Sequence, residues 1–296
     1  MILVIGASGI LGNFTTEILQ SYNFPLRLAS RSIQKLENLR AGNTEIVQAD
    51  LTDKNSLEKA LQGVETVIAC AHSLMGKGKY DSDKVDLQGH KDLIDLAKRN
   101  GVKHFIYISV HPIANKHVEF WNTKAEIENY LQQSGLKYTI IRASAFMEMH
   151  IHKLMGESIL QKNKATIFGE GNLQLNTVSA KDIAKVILLL VQQKMDAELI
   201  EIGGPDNLSR KEIVNLYGEI LNRQPKVKHI SRGQLRFLSK VIKPFHSGLS
   251  RIMKTSAALD ELDLGFDNSK IQAALPFAMK SVKEFIAEKL QESKAS

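Results

Sequence analysis

Six short aliphatic runs, separated by longer stretches with apolar residues at helical spacing, give the first 142 residues of this chain a strict strand–helix rhythm. The runs are Ile2–Ile5, Leu26–Ala29, Glu45–Gln48, Thr66–Cys70, Phe105–Ser109 and Tyr138–Arg142. Between them, Ile10–Gln20, Ile33–Leu39, Asn55–Leu61, Lys84–Arg99 and Glu119–Gln133 carry the helical pattern. Several of these end beside Gly63, Gly101 or Gly135, as helix C-termini tend to. Parallel strands need a crossover long enough to hold a helix, so the alternation predicts βαβ units. The expected fold is α/β: a doubly wound, mainly parallel sheet covered on both faces, over residues 1–142.

After Arg142 the rhythm changes. Met147–Gln161 and Lys181–Gln192 read as helices, and the short runs Ala165–Phe168, Asn176–Val178 and Leu199–Ile202 as strands. Ser209 followed by Glu212 reads as a capping box opening the helix Lys211–Leu221, and Ser281–Leu290 as a closing helix. Residues 143–296 are therefore expected to form a smaller, mostly helical C-terminal lobe that also contributes late strands to the sheet.

Composition bounds the partners. A chain of 296 residues, 43% hydrophobic and 24% charged, has enough apolar material for a substantial core and is not a disordered composition. The net charge of +7 is regional: nine basic residues and no acidic one lie between Asn222 and Lys254, and the remainder of the chain is slightly acidic. That argues against a general nucleic-acid groove and directs any anionic partner to the C-terminal third. Within this segment Phe237, Leu238, Val241, Ile242 and Phe245 recur at helical spacing with Arg236, Lys240 and Lys243 interleaved. The pattern fits contact with an anionic surface, and it also describes a helix packed on its own domain. The longest aliphatic run, Val186–Val191, is far short of the ~20 residues of a membrane span. With no secretion signal after Met1 and a single cysteine, Cys70, a reducing cytoplasm is the expected compartment.

The first strand runs into Gly6, Ala7, Ser8, Gly9, Ile10, Leu11 and Gly12, where a helix begins. The G-x-x-G-x-x-G spacing suits a dinucleotide: the first glycine permits a tight turn, the second lets the backbone approach a pyrophosphate, and the third lets helix and strand pack closely. Free amides at the helix N-terminus favour the anion. A tight βα turn without a nucleotide is the alternative. No acid stands near the end of the second strand to bind an adenosine ribose. Arg31 lies there instead, flanked by Ser30 and Ser32, which favours the extra phosphate of NADP(H) over NAD(H) unless Arg31 is only a solvated surface residue.

Asp50 and Leu51 follow the third strand, where they are candidates for the adenine amino group and ring. Alternatively Asp50 or Thr52 caps the next helix. Ala69, Cys70 and Ala71 follow the fourth strand, and their small size would let backbone run beside the cofactor; Cys70 reads as a small buried hydrophobe rather than a nucleophile. His72, His111 and His117 lack metal-ligand spacing, and no metal is expected.

These elements resemble the short-chain dehydrogenase/reductase superfamily of Rossmann-fold proteins, and within it the atypical NmrA-like branch. The likeness rests on Gly6–Gly12, on Leu28–Arg31, and on the block from Phe105 through Ser109, Lys124–Glu128 and Ser134–Arg142 to Phe146. Val178–Ala184 and Ile202–Pro205 followed by Leu208–Ile213 add to it. The resemblance implies an N-terminal dinucleotide-binding domain and a C-terminal substrate lobe. In Tyr-dependent members a tyrosine four residues before a lysine carries the substrate proton. Here that window is Phe120 to Lys124.

Phenylalanine has no ionisable proton, so general acid catalysis from position 120 is excluded, while Lys124 is still expected to engage the nicotinamide ribose. The bland reading of Lys124 is a surface residue paired with Glu128 at i,i+4. Phe146 and Met147, with Met149, are the candidates for an apolar substrate pocket or for ordinary lobe packing. The expected activity is that of an NADPH-dependent oxidoreductase lacking the catalytic tyrosine, passing hydride to a hydrophobic carbonyl or quinone-type acceptor. The alternatives are a non-catalytic NADP(H)-binding redox sensor or regulator, and an accessory subunit.

Overall fold

The computed structural model describes residues 1–113 and 118–295, so His117 lies outside the described residues. In chain order the elements are β1 (Ile2–Ile5), α1 (Ile10–Ser21), β2 (Leu26–Ser30), β3 (Thr44–Gln48), α2 (Lys54–Leu61), β4 (Thr66–Ala69), α3 (Gly89–Arg99), β5 (His104–Val110), α4 (Glu119–Gln133) and β6 (Tyr138–Ala143). There follow β7 (Ala145–Phe146), α5 (Glu157–Lys162), β8 (Lys164–Phe168), β9 (Gln174–Val178), α6 (Ala180–Val191), β10 (Leu199–Ile202), β11 (Asn207–Ser209) and α7 (Arg210–Leu221). The chain closes with β12 (Lys226–Ile230), α8 (Arg232–Ile242), α9 (Ser247–Leu259), α10 (Ser269–Ala274) and α11 (Val282–Ala295). They fall into two compact units: Met1–Arg142 with Ile183–Glu201, and Ala143–Asp182 with Ile202–Ser296.

The first unit is organised by a seven-stranded parallel sheet in the order β10-β6-β5-β4-β1-β2-β3. All four residues of β1 are buried, as a central strand covered on both faces requires, while β3 at the edge is only partly covered. The chain steps outward from β1 through β2 to β3, then returns to the other side of β1 with β4. This reversal makes the carboxyl ends of β1 and β4 the switch point at which doubly wound folds take ligands. Leu3, Ile5, Val67, Leu93, Phe105, Tyr107, Ile127 and Ile140 belong to the core beneath it.

In this unit two predicted helices differ from expectation. Ile33–Leu39 forms two 3₁₀ turns, Ile33–Lys35 and Glu37–Leu39, because seven residues are too few to nucleate a stable α-helix and burial of Leu36 and Leu39 holds the tighter turns. The helix predicted from Lys84 starts as a π-helical turn, Asp83–Gln88, and becomes α3 at Gly89. A Cβ on Gly89 would lie 2.7 Å from the Leu51 side chain, so its absence lets this helix press against the turn after β3.

The second unit holds a three-stranded sheet, β11-β9-β7, and a parallel pair, β12-β8. A second π-helical stretch, Glu148–Gly156, leads into α5 where one helix was predicted. Its core gathers Met147, Ile151, Met155, Ile159, Ile213, Tyr217 and Phe285. The Ser209–Glu212 capping box opens α7 as the sequence predicts. No helix among the described residues is long and apolar enough to cross a membrane.

Candidate functional site

The three glycines after β1 do three different things. Gly6 has φ +83°, and a Cβ there would stand 2.7 Å from Ala71 N and 2.8 Å from Ala71 Cα, so the turn packs directly on the strand end of β4. A Cβ at Gly12 would meet Gly6 O at 2.3 Å, which locks α1 against its own turn. Gly9 is exposed, and a Cβ there would touch only Gly6 O, at 3.2 Å. It is also the N-cap of α1, with no side chain to satisfy the first-turn amides and no acid in that turn. The first and third glycines therefore serve backbone packing, and the second leaves open the position where an anion meets a helix N-terminus. Ala7 and Leu11 are buried, so they can face a ligand through backbone only; Ser8 Oγ and Ser30 Oγ lie 3.0 Å apart.

At the end of β2, Arg31 is exposed, and its guanidinium stacks on the Tyr80 ring at 4.4 Å from the centroid. Lys79 approaches the other partner of this stack, its ammonium 4.7 Å from the same ring. The Tyr80 hydroxyl chiefly raises the Lys79 pKa, with Asp50 adding to the effect and Arg31 opposing it. Four polar groups from three separate loops thus converge beside the glycine turn's strand. Tyr80 and Lys79 were not singled out from the sequence. The loop after β4 brings them in by folding back, with Ser73 Oγ donating to Tyr80 O at 2.6 Å, and no periodicity announces that.

Asp50 accepts from both the backbone and hydroxyl of Thr52 through Oδ1, closing a local turn. The cap of α2 is Asp53, which accepts from Asn55 N; neither Asp50 nor Thr52 caps that helix, because the chain makes one more turn before it starts. Leu51 is a core residue packed against Gly89, and its side chain is committed there rather than held free for a ring. Ala69 is buried and Ala71 half-buried under Gly6. Burial pushes the Cys70 thiol up to about 12, so it is protonated at neutral pH and is not a nucleophile.

At the other end, β5 and the start of α4 place Lys124. It is buried, not a surface residue, and it does not pair with Glu128. Its Nζ donates to Ile108 O at 2.7 Å and lies 4.7 Å from the Tyr107 ring centroid and 5.8 Å from that of Phe120. Desolvation lowers its pKa to about 8, against the opposing pull of Asp86, Glu128 and Cys70. Glu128 is engaged elsewhere: Arg142 grips it with Nε at 3.0 Å and Nη2 at 2.6 Å, and the Ser109 hydroxyl donates to it. Ser109 is thereby tied to a carboxylate that an arginine already holds.

Two further polar residues lie under Lys124 and were missed. Asp86, buried, accepts from Ser73 N and from Ser82 Oγ, each at 2.6 Å. His90, also buried, meets the Tyr107 ring edge-on at 5.5 Å, and burial lowers its pKa to about 4. His90 Nε2 and the Tyr107 hydroxyl are buried without a hydrogen-bond partner among the described residues. A signal was available: Asp86 and His90 stand four apart on the apolar stripe that carries Val85 and Leu93, where a polar pair is out of place.

Of the three pocket candidates in the second unit, Met149 is half-buried and Met147 is fully buried in that unit's own core, which assigns Met147 to packing. Phe146, in β7, keeps partial exposure.

The chain belongs to the NmrA-like family, whose model matches residues 1–286. Among curated proteins it is 27% identical over 264 residues to the photosystem II assembly factor Ycf39 of Guillardia theta, covering 88% of this chain and 83% of that one. It is 28% identical over 251 residues to the chloroplastic divinyl chlorophyllide a 8-vinyl-reductase of Arabidopsis thaliana, covering 76% of this chain and 58% of that longer one. Its fold is that of the NADPH-dependent quinone oxidoreductase QOR2 of Escherichia coli, solved with NADPH: TM-score 0.77 at 19% identity, over 98% of this chain and all of the other.

Proposed function

We propose that the protein is an NADP(H)-dependent reductase that passes hydride to a hydrophobic quinone-type or carbonyl acceptor. The observation that carries this reading is the glycine turn at the switch point between β1 and β4, open at Gly9 and flanked by the cationic Arg31 and Lys79. A relative and a structural neighbour named as reductases, one of them solved with NADPH, support it. Bound NADPH supplies the hydride. Gly9 and the α1 amides would receive the pyrophosphate, Arg31 and Lys79 the 2′-phosphate, and Lys124 the nicotinamide ribose.

Proton supply favours the quinone-type acceptor. Phe120 offers no proton, the Ser109 hydroxyl is committed to Glu128, and the Tyr107 pKa is driven well above its ordinary value by burial. A carbonyl needs an acid as its oxygen gains charge, whereas a reduced quinone leaves as a stabilised anion that water protonates. The test is NADPH oxidation against a panel of quinones and aldehydes, with wild type and Phe120→Tyr. Turnover of a quinone by wild type, and a gain on aldehydes only in the variant, is the expected result. Tight NADPH binding with no turnover of any acceptor would overturn it in favour of a non-catalytic NADP(H) sensor. The lack of an acid at position 120 and the likeness to an assembly factor already favour that second reading.

A further inference from the structure

Helix α8 packs on its neighbour through one side only. Leu235 and Ser239, four apart, are buried, and Ser250 Oγ of α9 donates to Ser239 O at 2.7 Å. At 100° per residue the remaining surface of α8 divides into two adjoining arcs. One arc carries Phe237, Leu238 and Val241, 66%, 41% and 53% exposed; Phe245, just past the helix end, is 78% exposed. The other carries Arg236, Lys240 and, beyond the last turn, Lys243.

Charge on this face is one-sided. Glu261 beside it is neutralised by Arg232 and Arg236, whereas Lys240 and Lys243 have no ion-pair partner among the described residues. A protein-docking face concentrates apolar anchors at its centre and excludes lysine from it. Here two unpaired lysines lie within one helical turn of two solvated phenylalanines, and their long stems let the ammonium groups reach headgroups while the rings sit deeper. An 11-residue helix, about 16 Å long, lies in an interface and does not cross it.

We infer that α8 and the Lys243–Phe245 turn form a docking surface for an anionic lipid bilayer. Phe237, Val241 and Phe245 enter the boundary of the acyl region, and Lys240 and Lys243 meet the anionic headgroups. This inference stands apart from the cofactor reading.

Flotation of the full chain with vesicles tests it, comparing phosphatidylcholine alone with a mixture containing phosphatidylglycerol, at low and high ionic strength. Wild type should float with the anionic vesicles only, and lose that binding as salt rises. Lys240→Gln with Lys243→Gln should weaken partitioning roughly thirtyfold, as two charges near a surface imply. Phe237→Ser with Phe245→Ser should weaken it too. Both pairs should melt at the wild-type temperature, since the four side chains are exposed; if the phenylalanine pair does not, the lysine pair decides alone. No flotation with anionic vesicles at low salt, equal flotation with neutral ones, or wild-type binding by the lysine pair would overturn the proposal. So would self-association in the absence of lipid that the phenylalanine pair abolishes, which would give the face to a second copy of this chain.

Discussion

At Gly6 and Gly12 the chain omits side chains so that backbone packs on backbone, whereas between Lys124 and Arg142 it draws charged side chains inward and gives each a polar partner, Ile108 O for Lys124 and Glu128 for Arg142. The glycine end is held by sterics: three atoms of residues 6 and 7 would lie within 3 Å of a Cβ on Gly12. The lysine end is held by electrostatics: a carboxylate gripped by a guanidinium, and an ammonium lodged against a carbonyl and an aromatic face. Steric fit is indifferent to pH and unforgiving of volume. A buried ionic cluster tolerates volume but responds to protons.

The largest effect should come from adding one methyl group where the fit is backbone on backbone. Gly12→Ala is expected to destabilise the protein by about 4 kcal/mol in urea unfolding, because no side chain can rotate away from the new contact. Gly9→Ala, whose Cβ would meet only Gly6 O, at 3.2 Å, should cost far less stability than Gly12→Ala while weakening NADPH binding. Equal losses in the two variants would break the division of labour between the glycines.

Lys124→Met should show the other behaviour. A lysine whose folded pKa is lowered from 10.5 to about 8 binds fewer protons folded than unfolded between those values, so wild-type stability contains a component that rises with pH across that window. Below pH 8 the burial cost is fully present; by pH 10.5 it is relieved. The stability of Lys124→Met relative to wild type should therefore fall by on the order of 3 kcal/mol from pH 8 to 10.5 in paired denaturation curves. A difference flat with pH would mean that Lys124 titrates normally. The same variant should lose turnover.

Glu128→Gln keeps the shape and removes the charge. Arg142 is a quarter exposed and retains Glu201 at 3.1 Å, so the loss is set below the value for a fully buried pair, at about 2 kcal/mol by thermal unfolding. Smallest in stability, and legible only in ligand binding, is Arg31→Ala. Its preference for NADPH over NADH should shrink roughly ten- to hundredfold in calorimetric titration, leaving the residue that Lys79 supplies. An unchanged preference would move the phosphate contact to Lys79 and Tyr80.

What the sequence determined by itself was whatever depends on neighbours along the chain. Six short runs became six strands within a residue or two of their expected ends, because each is bounded by helical segments long enough to carry the crossover to the next parallel strand. The glycine spacing located its turn, and the sequence alone shows that position 120, four residues before Lys124, carries a side chain without an ionisable proton, because both are facts about residue type at a fixed local position. Only the tertiary structure decided the rest. The i,i+4 spacing offered Glu128 to Lys124 as the alternative to a ribose contact, but Arg142, arriving on β6, offers two aligned donors that a single ammonium cannot match. Tyr80 and Lys79 reach Arg31 only because an aperiodic loop folds back on Ser73. Met147 looked available for a pocket until the second unit closed a core around it. In each case the partner lies far along the chain, and a side chain's role there is set by which distant group has the better geometry.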